Sequence, residues 1–181
     1  MPRRTQRRTI SPMERPCQGR SMTHIQPRLF GTPQTETTSD DYFTPKWIFD
    51  TLGLHFDLDV ASPPHPTNVP CNHYYTQEDD GLTQPWHGRV WMNPPFSNPT
   101  PWINRWIDHG NGVCIVIISK SRAFQRLWND QRIGIAYLCD PQKVGVAFVR
   151  DGVSNQIAYP VCIAAIGKDN KNAITRLGNV R

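Results

Sequence analysis

Apolar residues recur along the chain with two different periods, one typical of helices and one typical of strands. In residues 99–109, two tryptophans and two isoleucines follow one another at spacings of three and four, which predicts an amphipathic helix. Gly110 and Gly112 come directly after it and are suited to end it. A continuous β-branched run over 112–119 then predicts a strand that is buried on both faces.

The same reading applied to the rest of the chain predicts an alternation of helices and strands. Thr44 is a suitable N-cap, and Pro45 a favoured first residue, for a helix that Gly53 ends. A second turn signal, Asp151-Gly152, predicts a hairpin near the C-terminus. The remaining predicted elements are a helix over 121–130 and strands over 55–62, 88–92, 132–140, 143–149 and 156–167. This order predicts an α/β fold with a mostly parallel central sheet flanked by helices and an antiparallel C-terminal hairpin.

Residues 63–85 interrupt this alternation with a segment rich in proline, asparagine and aspartate. Compact domains seldom contain so long a connection without a functional reason. We therefore expect this segment to contribute to a binding site.

Polar residues follow three of the predicted strands. Asp59 to Ser62 ends the first strand, and Asn93 to Phe96 ends the second. Ser119 to Ser121 ends the third, with polar residues that are less unusual at a strand end. The carboxyl ends of parallel strands lie along one rim of a sheet, where α/β proteins bind their ligands. The sequence therefore predicts one site on this rim.

The Asn-Pro-Pro-Phe segment at 93–96 has the composition of a stiff loop that holds few hydrogen-bond donors. The Asn93 side-chain oxygen and the Pro94 carbonyl oxygen could together accept both protons of a planar amino group. Phe96 could then stack on the ring that carries this group. The alternative is a proline-rich turn without a chemical role.

Asp59 is the second candidate, because a carboxylate just beyond a core strand can accept hydrogen bonds from a ribose hydroxyl or an ammonium group. Its alternative role is to cap a turn. The chain contains neither the glycine pattern of dinucleotide sites nor a Walker A sequence. A cofactor without a pyrophosphate fits better, and S-adenosylmethionine is the obvious one.

The net charge of +5 is concentrated at the N-terminus. Residues 1–30 contain seven arginines against one glutamate, a net +6, so the remaining residues carry −1. Four prolines within residues 1–30 and little apolar periodicity predict a disordered arm, which we extend over 1–40 and which could bind phosphates without reading sequence. The alternatives are a solvated leader or an early start, since Met13 and Met22 lie inside it. The predicted domain covers 41–168, and the polar residues 169–181 are expected to fray.

The cysteine pattern predicts a reducing, intracellular environment, because none of the five cysteines forms a CxxC pair. Cys71 and His73 are the only hint of a metal site, and two ligands are fewer than zinc requires. No metal is therefore predicted. The longest apolar run is far shorter than the ~20 residues of a membrane span.

Taken together, DYFTPKWIFDTL, FDLDVASP, NHYYTQEDDGLTQPW and VWMNPPFSNP make the chain from about Asp41 to Gly167 similar to the phage-type DNA N-6-adenine methyltransferase (Dam-like) family. The resemblance implies a Rossmann-like class I methyltransferase fold that binds S-adenosylmethionine. It also implies flipping of an adenine out of duplex DNA and methylation of its exocyclic amine. The implied location is the cytoplasm of a bacterial host that carries a phage or prophage.

The resemblance also assigns roles to residues by position. Asn93, Pro94, Pro95 and Phe96 match the family's catalytic motif, in which Phe96 replaces the commoner tyrosine. The residues that it places near the cofactor are Thr44, Pro45, Asp59, Ala61, Ser62, Glu78, Asp79 and Asp80. Val60 stands where many methyltransferases have proline.

Three cations, Lys120, Arg122 and Arg126, follow the third polar strand end and could contact DNA phosphates, although a solvated helix face explains them equally well. Trp91, Trp102 and Trp106 are expected to pack in the core. Two alternatives to an adenine methyltransferase stay open, namely a cytosine N-4 methyltransferase and a non-catalytic DNA-binding relic that uses the arginine-rich arm.

Overall fold

Helices and strands alternate along the part of the chain that the computed structural model describes, which comprises residues 42–63, 68–138, 146–150, 153–157 and 159–181. The helices are α1 (Lys46–Leu52), α2 (Thr100–His109), α3 (Arg122–Asn129) and α4 (Lys168–Ile174). The strands are β1 (Phe56–Asp59), β2 (Cys71–Tyr74), β3 (Val90–Met92), β4 (Gly112–Ile117), β5 (Gly134–Tyr137), β6 (Ala147–Arg150), β7 (Val153–Gln156) and β8 (Val161–Ile166). The predicted arm over 1–40 and the predicted turn at Asp151-Gly152 lie outside the described residues.

Six strands form one sheet in the order β2-β1-β3-β4-β8-β5. The first four strands of this order run parallel to one another, whereas β8 is antiparallel to both β4 and β5. Strands β6 and β7 form a separate antiparallel pair. The predicted α/β class and the mostly parallel central sheet are confirmed.

The order of the first three strands places a crevice between β1 and β3. From β1 the chain moves outward to β2 and then returns to form β3 on the opposite side of β1. A reversal of this kind is a topological switch point, and ligands of open α/β sheets bind there at the carboxyl ends of the strands. Asp59 ends β1 and Asn93 follows β3, so both predicted chemical residues flank this crevice.

Strand β2 corrects the prediction that 63–85 is one continuous loop. Its four residues are exposed or half-buried, so they show no apolar alternation that could be recognised in the sequence. The strand forms because its backbone pairs with β1, with Phe56 opposite Cys71 and Leu58 opposite His73. An edge strand needs only backbone partners on one side, which explains why its sequence is polar.

The long strand predicted over 156–167 is divided into two elements. Strand β7 pairs with β6, whereas β8 begins only after Pro160 and enters the main sheet. Proline has no backbone N–H for a sheet ladder, and the Pro160 carbonyl instead accepts a hydrogen bond from the Ile118 N–H at 2.9 Å. The predicted hairpin thus exists as β6 and β7, while β8 belongs to the core.

Two apolar layers cover the two faces of the sheet. Helices α2 and α3 pack on one face through residues such as Trp106 and Leu127, and α1 and α4 pack on the other with Ile48 and Ile174. Among the described residues, no helix is both long enough and apolar enough to cross a membrane. Because the core occupies both faces of the sheet, polar chemistry is confined to its rims.

The closing residues are ordered, contrary to the expectation that 169–181 fray. Helix α4 packs on the sheet, and its Asn170 is buried, donating to the Ile166 carbonyl at 2.7 Å and accepting from Arg89 Nε at 2.7 Å. Further on, Arg181 and Ile135 exchange two backbone hydrogen bonds. These partners lie far away in sequence, so a polar composition alone could not reveal them.

Candidate active site

A narrow cleft opens where β1 and β3 end side by side. Asp59 lies opposite Trp91 in the sheet, and the Val60 N–H extends the pairing to the Trp91 carbonyl at 3.1 Å. We call this space the polar cleft; its lining residues are Tyr42, Phe43, Thr44, Asp59, Ala61, Pro63, Asn68, Val69, Trp91 and Asn93. Its free volume of about 10 Å³ corresponds to roughly one water molecule.

Asn93 points its carboxamide into the polar cleft. Its Nδ2 donates a hydrogen bond of 2.9 Å to the Tyr42 carbonyl, which determines how the amide is oriented. Its Oδ1 is buried and has no hydrogen-bond partner among the described residues. A buried acceptor without a partner is costly to stability, and such atoms concentrate where a ligand supplies the missing donor.

Thr44 provides a second unpartnered oxygen in the same cleft. The prediction that Thr44 caps the first helix is wrong, because α1 begins at Lys46 and Pro45 occupies the flanking position in an extended conformation. The Thr44 side chain is instead buried, and its Oγ1 has no partner among the described residues. Thr44 therefore lines the polar cleft and does not cap the helix. Pro45 is buried and directly precedes α1.

Asp59 is almost completely buried, with 1% of its surface exposed. Burial raises its pKa to about 7, although hydrogen bonds from the Ala61 N–H and the Ser62 side chain lower it in part. The Ala61 N–H lies 3.2 Å from Asp59 Oδ1, and the Ser62 hydroxyl also lies 3.1 Å from the Pro63 carbonyl. The Asp59 carboxyl can therefore change its protonation state near neutral pH.

The acidic segment Glu78 to Asp80 lies on an exposed turn after β2. Asp79 accepts hydrogen bonds from the Thr76 N–H at 2.8 Å and the Thr76 hydroxyl at 2.9 Å, which lower its pKa. Gly81 packs this turn against β1, because a Cβ atom there would come within 2.0 Å of the Val60 carbonyl oxygen. Thr44, Asp59 and Ala61 thus share one cleft with Asn93, whereas the acidic segment lies on a neighbouring turn.

A much larger space opens on the other side of the Asn-Pro-Pro-Phe loop. We call it the apolar cavity; its volume is about 530 Å³ and it is lined by Tyr42, Pro94, Phe96, Ser97, Pro99, Ile103, Val116, Ile117, Ser119, Ile157 and Tyr159. This volume lies in the range of small-molecule sites. The loop therefore directs its amide into the polar cleft, while Pro94 and Phe96 face the apolar cavity.

Phe96 belongs to an aromatic cluster in this cavity. Its ring stacks with that of Tyr42 at a centroid distance of 5.8 Å and an interplanar angle of 23°. The ring of Phe148 meets Phe96 edge-on at 5.8 Å and is fully buried. The sequence-based reasoning did not identify Tyr42, although an aromatic residue two positions before Thr44-Pro45 was the available signal.

The three predicted DNA-contacting cations differ in their surroundings. Lys120 and Arg122 are exposed just beyond β4, beside Ser119, which lines the apolar cavity. Arg126 lies on the α2 side of α3, where it forms a salt bridge with Asp108 and a hydrogen bond with Asn104 Oδ1 at 3.1 Å. Lys120 and Arg122 are therefore better placed than Arg126 to meet a ligand at the cavity.

The three tryptophans expected to pack in the core do so to different degrees. Trp91 and Trp106 are at most 1% exposed, and Trp102 packs against the core from α2.

Cys162 is a buried cysteine without an expected chemical role. Burial raises the pKa of its thiol to about 12, so the thiol stays neutral. Within the described ranges, no group of three or more His, Cys, Asp or Glu side chains could hold a metal ion.

Two comparisons with known proteins found matches to this chain. The family model of DNA N-6-adenine-methyltransferase (Dam) matches residues 31–156 of the chain. A curated DNA N-6-adenine-methyltransferase of Haemophilus phage HP1 (strain HP1c1) is 39% identical over 78 residues, which is 40% of this chain and 44% of that protein. The aligned part thus spans less than half the length of this relative. No solved structure matches the chain.

Proposed function

Because the chain belongs to the DNA N-6-adenine-methyltransferase (Dam) family, we propose that it transfers a methyl group from S-adenosylmethionine to the N6 amine of adenine in duplex DNA. The observation that carries the proposal is the buried Asn93 Oδ1 at the topological switch point of the sheet, an acceptor with no hydrogen-bond partner in the part of the chain that the structure describes. An adenine amine is a donor that this acceptor lacks.

The proposed cofactor site is the polar cleft. Thr44 Oγ1 and the Asp59 carboxyl are buried acceptors that suit the ammonium and hydroxyl donors of S-adenosylmethionine. At about 10 Å³ the cleft must widen to admit this molecule, and the segment around Thr44 forms part of its wall. The bound cofactor supplies an electrophilic methyl group on its sulfonium.

The fold that carries this site is proposed to be the Rossmann-like class I methyltransferase fold. The reversal of strand order at β1 and β3 supports this proposal.

Asn93 is proposed to bind the amine that is methylated. Its bond to the Tyr42 carbonyl leaves Oδ1 as the free acceptor, and the Pro94 carbonyl oxygen is the second acceptor in the same loop. Two acceptors on the two amine protons draw the nitrogen lone pair out of conjugation with the ring. The amine would then take the methyl group without help from a basic side chain, with the thioether of the cofactor as the leaving group, and the excess proton would pass to solvent. Pro94 and Pro95 hold the loop in place beforehand.

Phe96 and the apolar cavity are proposed to receive the flipped base. Adenine taken out of the duplex loses its stacking, at a cost of a few kcal/mol, and an aromatic side chain can replace part of it. The cavity volume of about 530 Å³ is large enough for a base. Lys120 and Arg122 are exposed beside it and can bind the phosphates that flank the base. The basic arm over 1–40 is proposed to add affinity that does not depend on sequence.

The experiment that tests this function is transfer of tritium from labelled S-adenosylmethionine to unmethylated duplex DNA. We expect incorporation by the wild type, loss of it in Asn93→Ala, and wild-type rates in Asn98→Ala, which removes an exposed amide from the same loop. A wild type that transfers no label, or an active Asn93→Ala, contradicts the proposal. Digestion of the product identifies the base: N6-methyladenine supports the proposal, and N4-methylcytosine replaces it with the cytosine reaction.

A further inference from the structure

Asn68 lies in the long segment between β1 and β2 and lines the polar cleft together with Thr44. Its Nδ2 donates a hydrogen bond of 2.7 Å to the Thr44 carbonyl, 24 positions earlier in the chain. In the sequence Asn68 carries no signal of a role, because a lone asparagine in a proline-rich segment is typical of a turn. The hydrogen bond nevertheless joins this segment to the residue whose buried hydroxyl has no partner among the described residues.

The backbone at Thr44 is held by a side chain, whereas the residue before it is held by a strand. Phe43 exchanges two backbone hydrogen bonds with Val149 of β6, at 2.8 and 3.1 Å. At Thr44 the donor is the amide of Asn68. Because the following residue, Pro45, has no N–H, the peptide group between Thr44 and Pro45 can be held by hydrogen bonds only through its carbonyl. The Asn68 side chain is therefore the donor that orients this peptide group.

The orientation of this peptide group affects where the Thr44 hydroxyl points. Threonine is branched at Cβ and is restricted at χ1, so its hydroxyl follows the backbone. Thr44 is also buried, with 3% of its surface exposed, and close packing leaves little space for another rotamer. A change in the backbone at Thr44 therefore displaces Oγ1.

The donor side of this hydrogen bond is anchored to the central sheet. Two residues after Asn68, the Pro70 carbonyl accepts a hydrogen bond from the Phe56 N–H of β1 at 2.8 Å, and β2 begins at the next residue. Asn68 itself is exposed, so its amide has water as an alternative partner. We therefore expect its hydrogen bond to contribute more to the geometry of the polar cleft than to the stability of the fold.

We propose that Asn68 is a positioning residue of the cofactor site. By holding the Thr44 carbonyl, its amide directs Thr44 Oγ1 towards the donors of S-adenosylmethionine, and this hydrogen bond persists in the cofactor complex. The inference rests on the proposed function, which places S-adenosylmethionine in the polar cleft. Asn68 acts through Thr44, so its contribution to cofactor affinity depends on the Thr44 hydroxyl.

Isothermal titration calorimetry of the full chain with S-adenosylmethionine measures this dependence. We expect Asn68→Ala to bind the cofactor about 3- to 10-fold more weakly than the wild type, which corresponds to one hydrogen bond. Thr44→Val keeps the branching of the side chain, removes Oγ1 and is expected to weaken binding at least as much. The double variant should bind like Thr44→Val alone, because Asn68 then has no hydroxyl to position.

Two controls separate positioning from folding. Asn72→Ala removes an exposed amide from β2, four residues further along the chain, and should bind the cofactor with wild-type affinity. The number of sites per chain in the titration should stay at the wild-type value in Asn68→Ala, whereas unfolding would lower it. If Asn68→Ala does not fold, Asn68→Leu removes the donor while keeping the size of the side chain.

Turnover provides a second measurement of the same role. Asn68→Ala should raise KM for S-adenosylmethionine by a factor similar to the loss of affinity and leave kcat near the wild-type value, because the loss concerns cofactor binding and not the transition state. A fall in kcat with unchanged KM would overturn the inference.

Unchanged or tighter binding by Asn68→Ala also overturns the inference, and tighter binding would mean that the hydrogen bond breaks before the cofactor enters. Losses that multiply in the double variant overturn it as well, because Asn68 would then act without Thr44.

The methyl-transfer assay on the wild type separates these failures from failure of the proposed function. Methyl transfer with unchanged binding in Asn68→Ala removes only the positioning role. Coupled losses of affinity without methyl transfer remove the adenine methyltransferase and leave a cofactor site that Asn68 shapes. A wild type that binds no S-adenosylmethionine contradicts both.

Discussion

The polar cleft and the apolar cavity are separated by one short loop but differ in almost every physical property. The cleft has about 10 Å³ of free space and contains two buried oxygens, Asn93 Oδ1 and Thr44 Oγ1, that have no partner within the described ranges of the chain. The cavity has about 530 Å³ and is lined largely by aliphatic and aromatic side chains. Unsatisfied polar atoms store a cost that a specific ligand can relieve, whereas an open apolar space favours a flat ring without specifying it. From this difference we expect the polar cleft to determine the chemistry and the apolar cavity to determine access for the base.

Among the substitutions, we expect Asn93→Ala to distinguish the polar cleft from the apolar cavity most strongly, because it should change kcat and leave KM for DNA nearly unchanged. Asn93→Ala removes the acceptor proposed to bind the amine in the transition state, and we expect kcat to fall by about 10²- to 10³-fold. Because the cavity is unchanged, KM for DNA should stay near the wild-type value. Steady-state kinetics with varied DNA concentration measures both quantities. A rise in KM with little change in kcat would assign Asn93 to binding and contradict the division.

Asp59 allows the cleft to be tested by pH. Its pKa of about 7 in the folded protein lies above its ordinary value, so between about pH 4 and pH 7 the folded state retains a proton that the unfolded state releases. This contribution to the free energy of unfolding therefore falls as pH rises through the window, by about 1.4 kcal/mol per pH unit, and levels off above pH 7.

Urea unfolding monitored by circular dichroism from pH 4.5 to pH 8 measures this slope. Asp59→Asn should lack the contribution, so the difference between variant and wild type should grow with pH up to about pH 7. Asp50→Asn changes an exposed carboxylate on α1 and should keep the wild-type slope. A pH-independent difference for Asp59→Asn would show that the carboxyl does not titrate in this range.

Phe96 is the corresponding test of the cavity. Phe96→Ala removes the proposed stacking face, and the loss of about 1–3 kcal/mol of stacking should raise KM for DNA by roughly 10- to 100-fold. Phe96→Tyr keeps the face and should retain most of the wild-type affinity. The kinetic measurement used for Asn93 applies here as well. A pure loss of kcat in Phe96→Ala would mean that the cavity takes part in the chemistry itself.

The exposed cations should give the smallest effects. Lys120→Ala and Arg122→Ala should each weaken DNA binding only a few-fold and reduce the slope of log K against log salt by about 1. Arg126→Ala is the matched comparison on the same helix, and its bond to Asp108 predicts a smaller change in that slope. Fluorescence anisotropy of labelled duplex DNA at several salt concentrations measures these slopes. Equal slopes of log K against log salt for all three variants would indicate that DNA does not bind at Lys120 and Arg122.

Much of the fold could be predicted from periodicity, but the misses have a common cause. The apolar runs of β4 and β8 and the apolar stripe of α2 can be recognised in the sequence. Burial requires apolar residues in a continuous run for such strands and at regular spacing for such a helix. Strand β2 and helix α4 were not predicted because backbone pairing and one buried amide, Asn170, stabilise them. Interactions of that kind leave no periodic pattern in the sequence.

The candidate site shows the same division at the level of single residues. Asn93, Phe96 and Asp59 were predicted because unusual chemistry at a strand end is visible locally, and the structure places them at the switch point. Thr44 was assigned to a helix cap because local capping preferences could not show that its side chain is buried in the same cleft as Asp59. Tyr42 was missed because its importance depends on contacts with residues more than fifty positions away.

The sequence by itself determined the α/β class, the apolar layers and the family, since each depends on residue types at short spacing. Only the tertiary structure decided that one loop faces two different spaces and that the Tyr42 ring contacts Phe96. It also decided that the oxygens of Thr44 and Asn93 both lack partners among the described residues. These features arise where β1, β3 and the segment before α1 meet. Their geometry depends on long-range packing, which a pattern along the chain does not encode locally.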